Sequence, residues 1–314
     1  MIKKRKNIQQ QAEWLNIQTF NNYYVMLEEY ALNMFEWEGL PEEISIRYLE
    51  LQLLRNGSVT FFHDKSMGGY IALSGANGGQ LNIYNDPTTS NISTTTGYYK
   101  EVKIPTPLEL KKHADGIERL DTEKHGVIMY NNMTRTPTVP FLRLYAERLT
   151  EVERTIDVNL KAQKTPILIL TDDGQVLTLK NVYMKYDGNE PVIFGVKKGF
   201  DPEAVTVLKT DAPFVADKLM EYKHNLWNEC MTFLGIGNAK QDKRERLVAD
   251  EVKANDEQIL QRRFSMLRAR EIACEQINQL FGLNVSVKFK LNEYKKELDT
   301  EGEDTNGDFG VIIN

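Results

Sequence analysis

The residues in this 314-residue chain best placed to do chemistry are cations in polar surroundings. Lys243, Arg244 and Arg246 fall in one polar run, Asn238-Ala239-Lys240-Gln241-Asp242-Lys243-Arg244-Glu245-Arg246. Lys209 and Lys218 flank the start of the helical pattern leading to it, and Lys3, Lys4, Arg5 and Lys6 form a basic N-terminal arm. Ammonium and guanidinium groups so placed make salt-sensitive contacts with phosphate. From pattern alone the plainer reading holds: Lys209 and Lys218 are solubilising cations at a helix end, the run is a solvated turn, and the arm is a solvated tail.

Catalytic signatures are missing. The chain has no P-loop, HExxH, GxSxG or CxxC motif. Gly75-Ala76-Asn77-Gly78-Gly79 is glycine-rich, but no Gly-Lys-Ser/Thr and no helix follow it, so it reads as a hairpin connection. His63, His113, His125 and His224 are scattered, without metal-ligand spacing. No catalytic residue, metal ligand or cofactor is expected. Cys230 and Cys274 both lie in helical patterns, which suits assembly in a reducing cytosol better than a disulfide framework.

Charge is unevenly spread. The net charge is −6, yet residues 292–314 carry seven acids against Lys295 and Lys296 and account for −5 of it. The rest is near neutral, with a basic start and an acidic tail. A protein that clamps phosphates is usually more basic; one that surrounds DNA without gripping it need not be. No apolar run reaches the length of a membrane span, and no apolar h-region follows the basic start.

The elements that must position these cations can be read in order. Helical spacing runs from Gln11 to Trp37 through Leu15, Phe20, Tyr24, Leu27, Ala31 and Phe35, and a second helix from Pro41 to about Leu54 closes at Asn56-Gly57. SVTFFHD, GYIALSG, QLNIYND and YYKEVKI read as strands, residues 86–98 as a loop, 105–124 as irregular with one short helix, and HGVIMYNN as a strand. Thr138 begins a long helix with a seam of Leu142, Tyr145, Leu149, Val152 and Ile156. ILIL (167–170) and VLTL (176–179) flank the hairpin signal Asp172-Asp173-Gly174, and EPVIFGV adds a third strand. Asp211 and Pro213 mark a helix start. Val215, Leu219, Tyr222, Leu226, Cys230 and Phe233 draw its stripe, and Gly235 and Gly237 stop it. Asn255, with Gln258 three residues on, predicts the cap of a third long helix that ends at Gly282. NVSVKFK then reads as a strand completing the earlier sheet.

Several runs resemble a known family. FEWEGLP, HGVIMYNN, AQKTPILI, GNEPVIF, TDAPFVADKL, WNECMTFLGIGNA, KRERLVADEV and SMLRAREIACEQINQLFGLNVSVKF are similar to portal proteins of small short-tailed phages with protein-primed DNA replication. These are also called upper collar or head–tail connector proteins. The resemblance covers roughly residues 15–290 with gaps, and departs in length over 105–124.

The resemblance implies an α+β portal fold with long stem helices, a β-rich clip and an SH3-like small β-barrel in the wing. Its segments would be a flexible arm 1–10, wing 11–137, stem helix 138–163, clip 164–208, stem helix 209–236, channel loop 237–254, wing helix and strand 255–291, and acidic tail 292–314. It implies a homododecamer at one capsid vertex, assembled in the host bacterial cytoplasm, through which double-stranded DNA is packaged and ejected. Major capsid and scaffolding proteins, a lower collar or tail protein and a packaging ATPase would be partners, with a packaging RNA in some members. Lys209 and Lys218 would be lumen lysines, Lys243, Arg244 and Arg246 channel-loop cations, and Lys3, Lys4, Arg5 and Lys6 the nucleic-acid arm. Two other readings remain beside it: a non-ring nucleic-acid-binding module using the basic arm and the aromatic first helix, and a hydrolase whose acids meet only in the fold.

Overall fold

The computed structural model describes residues 8–163, 167–171, 192–196, 213–237 and 249–290. In chain order the elements are α1 (Ile8–Leu32), β1 (Phe35–Glu38), α2 (Ile46–Asn56), β2 (Ser58–Asp64), β3 (Gly69–Leu73), β4 (Gly75–Ala76), β5 (Thr89–Ser93) and β6 (Tyr99–Lys103). There follow α3 (Pro107–Ala114), β7 (Gly126–Tyr130), α4 (Val139–Ala162), β8 (Ile167–Thr171), β9 (Val192–Val196), α5 (Ala216–Leu234), α6 (Ala249–Phe281) and β10 (Ser286–Phe289). The chain is α+β, and its contacts divide it into two units: Met1–Asn21 with Ala146–Trp227, and Asn22–Tyr145 with Asn228–Asn314.

The second unit holds the main core. Leu49 and Leu53 of α2, Phe61 of β2, Leu110 of α3, Val127 and Met129 of β7, and Cys274, Ile277 and Leu280 of α6 pack into one cluster. Local chemistry sets the helix limits. Ser45 caps α2 by accepting from the Tyr48 amide, and Gly57 ends it in the left-handed conformation. Thr106 and Glu109 form a capping box on α3, with Pro107 where a missing N–H does no harm.

Two three-stranded antiparallel sheets, β3-β2-β7 and β4-β5-β6, make up the expected small β-structure. An isolated bridge from Lys103 to His125 links them, and Phe62, Ile92 and Val102 form a shared core. A polar chain also ties them: Thr60 to Ser90 at 2.6 Å, Ser90 to Asn77 at 2.7 Å, and Asn77 to Ser58 at 2.9 Å. Gly75 is required there, since a Cβ would lie 2.5 Å from the Ser90 hydroxyl.

In the first unit, the later turns of α4 and the earlier turns of α5 run antiparallel. Lys223 pairs with Glu153. The Asn159 amide donates to the Pro213 carbonyl at 2.9 Å and its oxygen accepts from the Val215 amide at 3.1 Å, which pins the chain as it enters α5. The seam predicted on α4, Leu142, Tyr145, Leu149, Val152 and Ile156, is buried throughout. β8 and β9 pair in parallel.

Several expectations are corrected. Phe35–Glu38 is not the end of α1 but a strand paired with Ser286–Phe289 in a sheet of its own, so β10 does not complete the earlier sheet. Cross-strand partners far apart in sequence override the helical spacing there. Helix α2 starts at Ile46, five residues after Pro41. QLNIYND keeps only the Leu81–Pro87 bridge before a turn, while Thr89–Ser93, expected as loop, is a strand. Leu15 and Tyr222 are exposed rather than part of buried stripes. Helix α5 begins at Ala216 rather than near Asp211, which lies outside the described residues. Helix α6 begins at Ala249, so Asn255 is interior. An interior Asn costs only a few tenths of a kcal/mol, too little to halt good helix formers upstream. The β8 partner is β9; residues 176–179 lie outside the described residues.

Candidate functional site

Of the predicted channel cations, only Lys218 lies among the described residues; Lys209, Lys243, Arg244, Arg246, Lys3, Lys4, Arg5 and Lys6 lie outside them. Lys218 stands exposed on the first turn of α5. No described carboxylate lies within ion-pair distance of it. A cation in a first turn opposes the helix macrodipole, so helix stability is not the reason for it. Asp217 stands in the same turn, and the Val215 amide just before the helix already donates to Asn159. Asp217, Glu221, His224 and Glu229 are also exposed on α5, so the surface is mixed rather than a basic clamp.

The other end of α5 is closed tightly. Gly235 is left-handed (φ 74°), and a Cβ on it would lie 2.9 Å from the Arg263 amide nitrogen. Arg263 donates to the Gly235 carbonyl at 3.2 Å, and Arg262 donates to the Phe233 carbonyl at 3.3 Å while lying 3.9 Å above the Phe233 ring. Helix α6 thus fixes where α5 hands the chain on to the polar run at 238–246.

Sequence reasoning missed the polar centre of the second unit. Arg270 is 1% exposed. It donates to Glu50 at 2.7 and 3.0 Å and to the Asn131 carbonyl at 2.7 Å. Trp37 donates to the same Glu50 at 2.8 Å, and the guanidinium lies 4.0 Å from the Phe35 ring centre. One ion pair therefore joins α2, α6, β1 and the end of β7. Its partners are 220 residues apart, and no local spacing signals such a pair.

Several other titratable groups are held by partners within the fold or by burial. Hydrogen bonds from Ser66, and then from Tyr98 and Lys100, hold the Asp64 carboxyl well below the usual carboxylate range. Burial, reinforced by Asp64, pushes the Tyr98 phenol up. His113 donates from Nε2 to the Leu280 carbonyl and accepts the Leu120 amide at Nδ1, while His63 pairs with Glu123. Burial pushes the Cys230 and Cys274 thiols up to about 12, which leaves them protonated and unreactive. Among the described residues, no three His, Cys, Asp or Glu side chains gather as a metal cage.

The Phage Connector (GP10) family model matches residues 2–293. Among solved structures, the chain is similar to one described as the portal and tail of native bacteriophage P68, at 15% identity and a TM-score of 0.47, with 98% of this chain and 100% of that chain covered.

Proposed function

We infer a working arrangement from one plain fact: this chain belongs to the Phage Connector (GP10) family. It is a portal, or head–tail connector, of a bacteriophage: a structural component of the virion's head–tail junction, with capsid and tail as neighbours. The match over residues 2–293 carries this reading, since it leaves out only Met1 and residues 294–314.

Beyond that, we propose that the protein works as a ring of twelve at one capsid vertex and has no enzymatic activity of its own. Helices α4 and α5 are the stem, 164–208 the clip and 11–137 with 255–291 the wing. The antiparallel packing of Glu153 with Lys223, and the Asn159 clamp on Pro213 and Val215, support a stiff hairpin that repetition turns into a tube wall. Lys209, Lys218, Lys243, Arg244 and Arg246 become rings of charge facing double-stranded DNA. Their contacts are weak and salt-sensitive, and the neighbouring acids keep them from becoming a trap. Energy for packaging comes from an ATPase on another chain, and Lys3, Lys4, Arg5 and Lys6 offer an arm for nucleic acid, including a packaging RNA. Scaffolding protein meets the same vertex during assembly in the bacterial cytoplasm, which the two buried free thiols suit.

Native mass spectrometry with negative-stain class averages tests the ring. The expected result is a closed ring near twelve subunits with a central hole. A stable monomer at high concentration would overturn it and favour a non-ring nucleic-acid-binding module.

A further inference from the structure

Two helix faces of the second unit expose apolar side chains at helical spacing. On α1, Leu27 and Ala31 are buried, while Val25 (57% exposed), Met26 (37%) and Tyr30 (44%) form an outward stripe around the exposed Glu29. On α6, Ile259 and Met266 are buried, while Leu260 (56%) and Phe264 (64%) point out. Beside that stripe runs a groove of about 430 Å³ whose lining includes Phe141, Tyr145 and Phe233, with Arg262 and the exposed Glu229 as its charged residues.

The two faces offer one pair of opposite charges, Glu29 on α1 and Arg262 in the groove, with the acids Glu229 and Glu257 exposed nearby. Helix α1 contains Glu13, Glu28 and Glu29 and no lysine or arginine. Glu28 is paired with Arg55, whereas no described cation lies within ion-pair distance of Glu29. Arg262, in the groove, has a carbonyl and an aromatic ring as partners, and neither cancels its charge. A helix with one face in the core and an apolar, acidic stripe outside fits a groove with aromatic walls and an arginine.

We propose that in the ring the Val25–Met26–Tyr30 face of α1 seats in this groove of the next copy, against Leu260 and Phe264, with Glu29 pairing to Arg262. The contact is heterologous: each copy offers the helix on one side and the groove on the other, as closed rings require. The proposal rests on the ring reading above.

Cysteine cross-linking separates the two. Val25→Cys and Phe264→Cys full-length chains are co-expressed with different tags and oxidised gently; Cys230 and Cys274 are buried and stay silent. The expected result is a mixed disulfide between tags, with none formed when either variant is expressed alone. Rings seen by native mass spectrometry without the mixed disulfide, or with self-cross-linked Val25→Cys, overturn this interface and leave the ring standing. Monomers of the wild-type chain overturn both. A charge swap adds a second measurement. Glu29→Arg and Arg262→Glu should each lower the fraction in rings at least several-fold, and the double variant should recover it. Failure of the double variant to recover, with its melting temperature unchanged, overturns the pairing.

Discussion

At the scale of single residues, Arg270 and Glu50 leave water together. Their burial is tolerable because every charged atom has a partner, including the Trp37 indole and the Asn131 carbonyl. Breaking such a pair leaves an uncompensated charge, at about 3–5 kcal/mol. Glu50→Gln should therefore lower unfolding free energy by about that amount in urea titration, whereas Glu50→Leu with Arg270→Met should recover much of it. A Glu50→Gln loss under about 1 kcal/mol would mean that water reaches the site. Asp64 makes a pH-dependent case. Its folded pKa lies below its unfolded value of about 3.9, so its stabilisation is present above that value and fades as pH falls through it. Melting temperatures from pH 6 down to pH 2 should show an acid decline that is shallower in Asp64→Asn than in wild type.

At the scale of elements, the glycine after α5 decides where that helix stops. Gly235 is left-handed and pressed against the Arg263 backbone, whereas Gly237 has open space around it. A Cβ in the left-handed region costs about 1–2 kcal/mol before any clash. Gly235→Ala should be destabilising by more than that, with Gly237→Ala within about 0.5 kcal/mol of wild type in the same denaturant series. Equal effects would show that backbone conformation at 235 is not what ends α5. The start of α5 depends instead on a side chain, Asn159, reaching across from α4.

At the scale of the whole molecule, the proposed ring would repeat each residue in every subunit, so small charges would act through number. Lys243→Ala with Arg244→Ala should leave ring formation intact yet lower the retention of packaged DNA, measured as nuclease-protected genome in filled heads. The defect should deepen as ionic strength rises, because the remaining phosphate contacts are screened. Filled heads that hold DNA as wild type does would show that these two cations play no part in retention.

The sequence by itself carried whatever depends on short range or on whole-family pattern. Helical and strand periodicity located α4, β2, β3 and β7 and the body of α2 though not its start, capping chemistry found the stop at Gly57, and the matched runs pointed to the family. It misplaced α1's end, the starts of α5 and α6, and the partner of β10. Each of those was settled by contacts between residues far apart in the chain, or by helix propensities too weak to enforce a stop. The Arg270–Glu50–Trp37 centre could be found only in three dimensions. A buried charge is stable only where several distant groups converge on it, and convergence leaves no spacing to read.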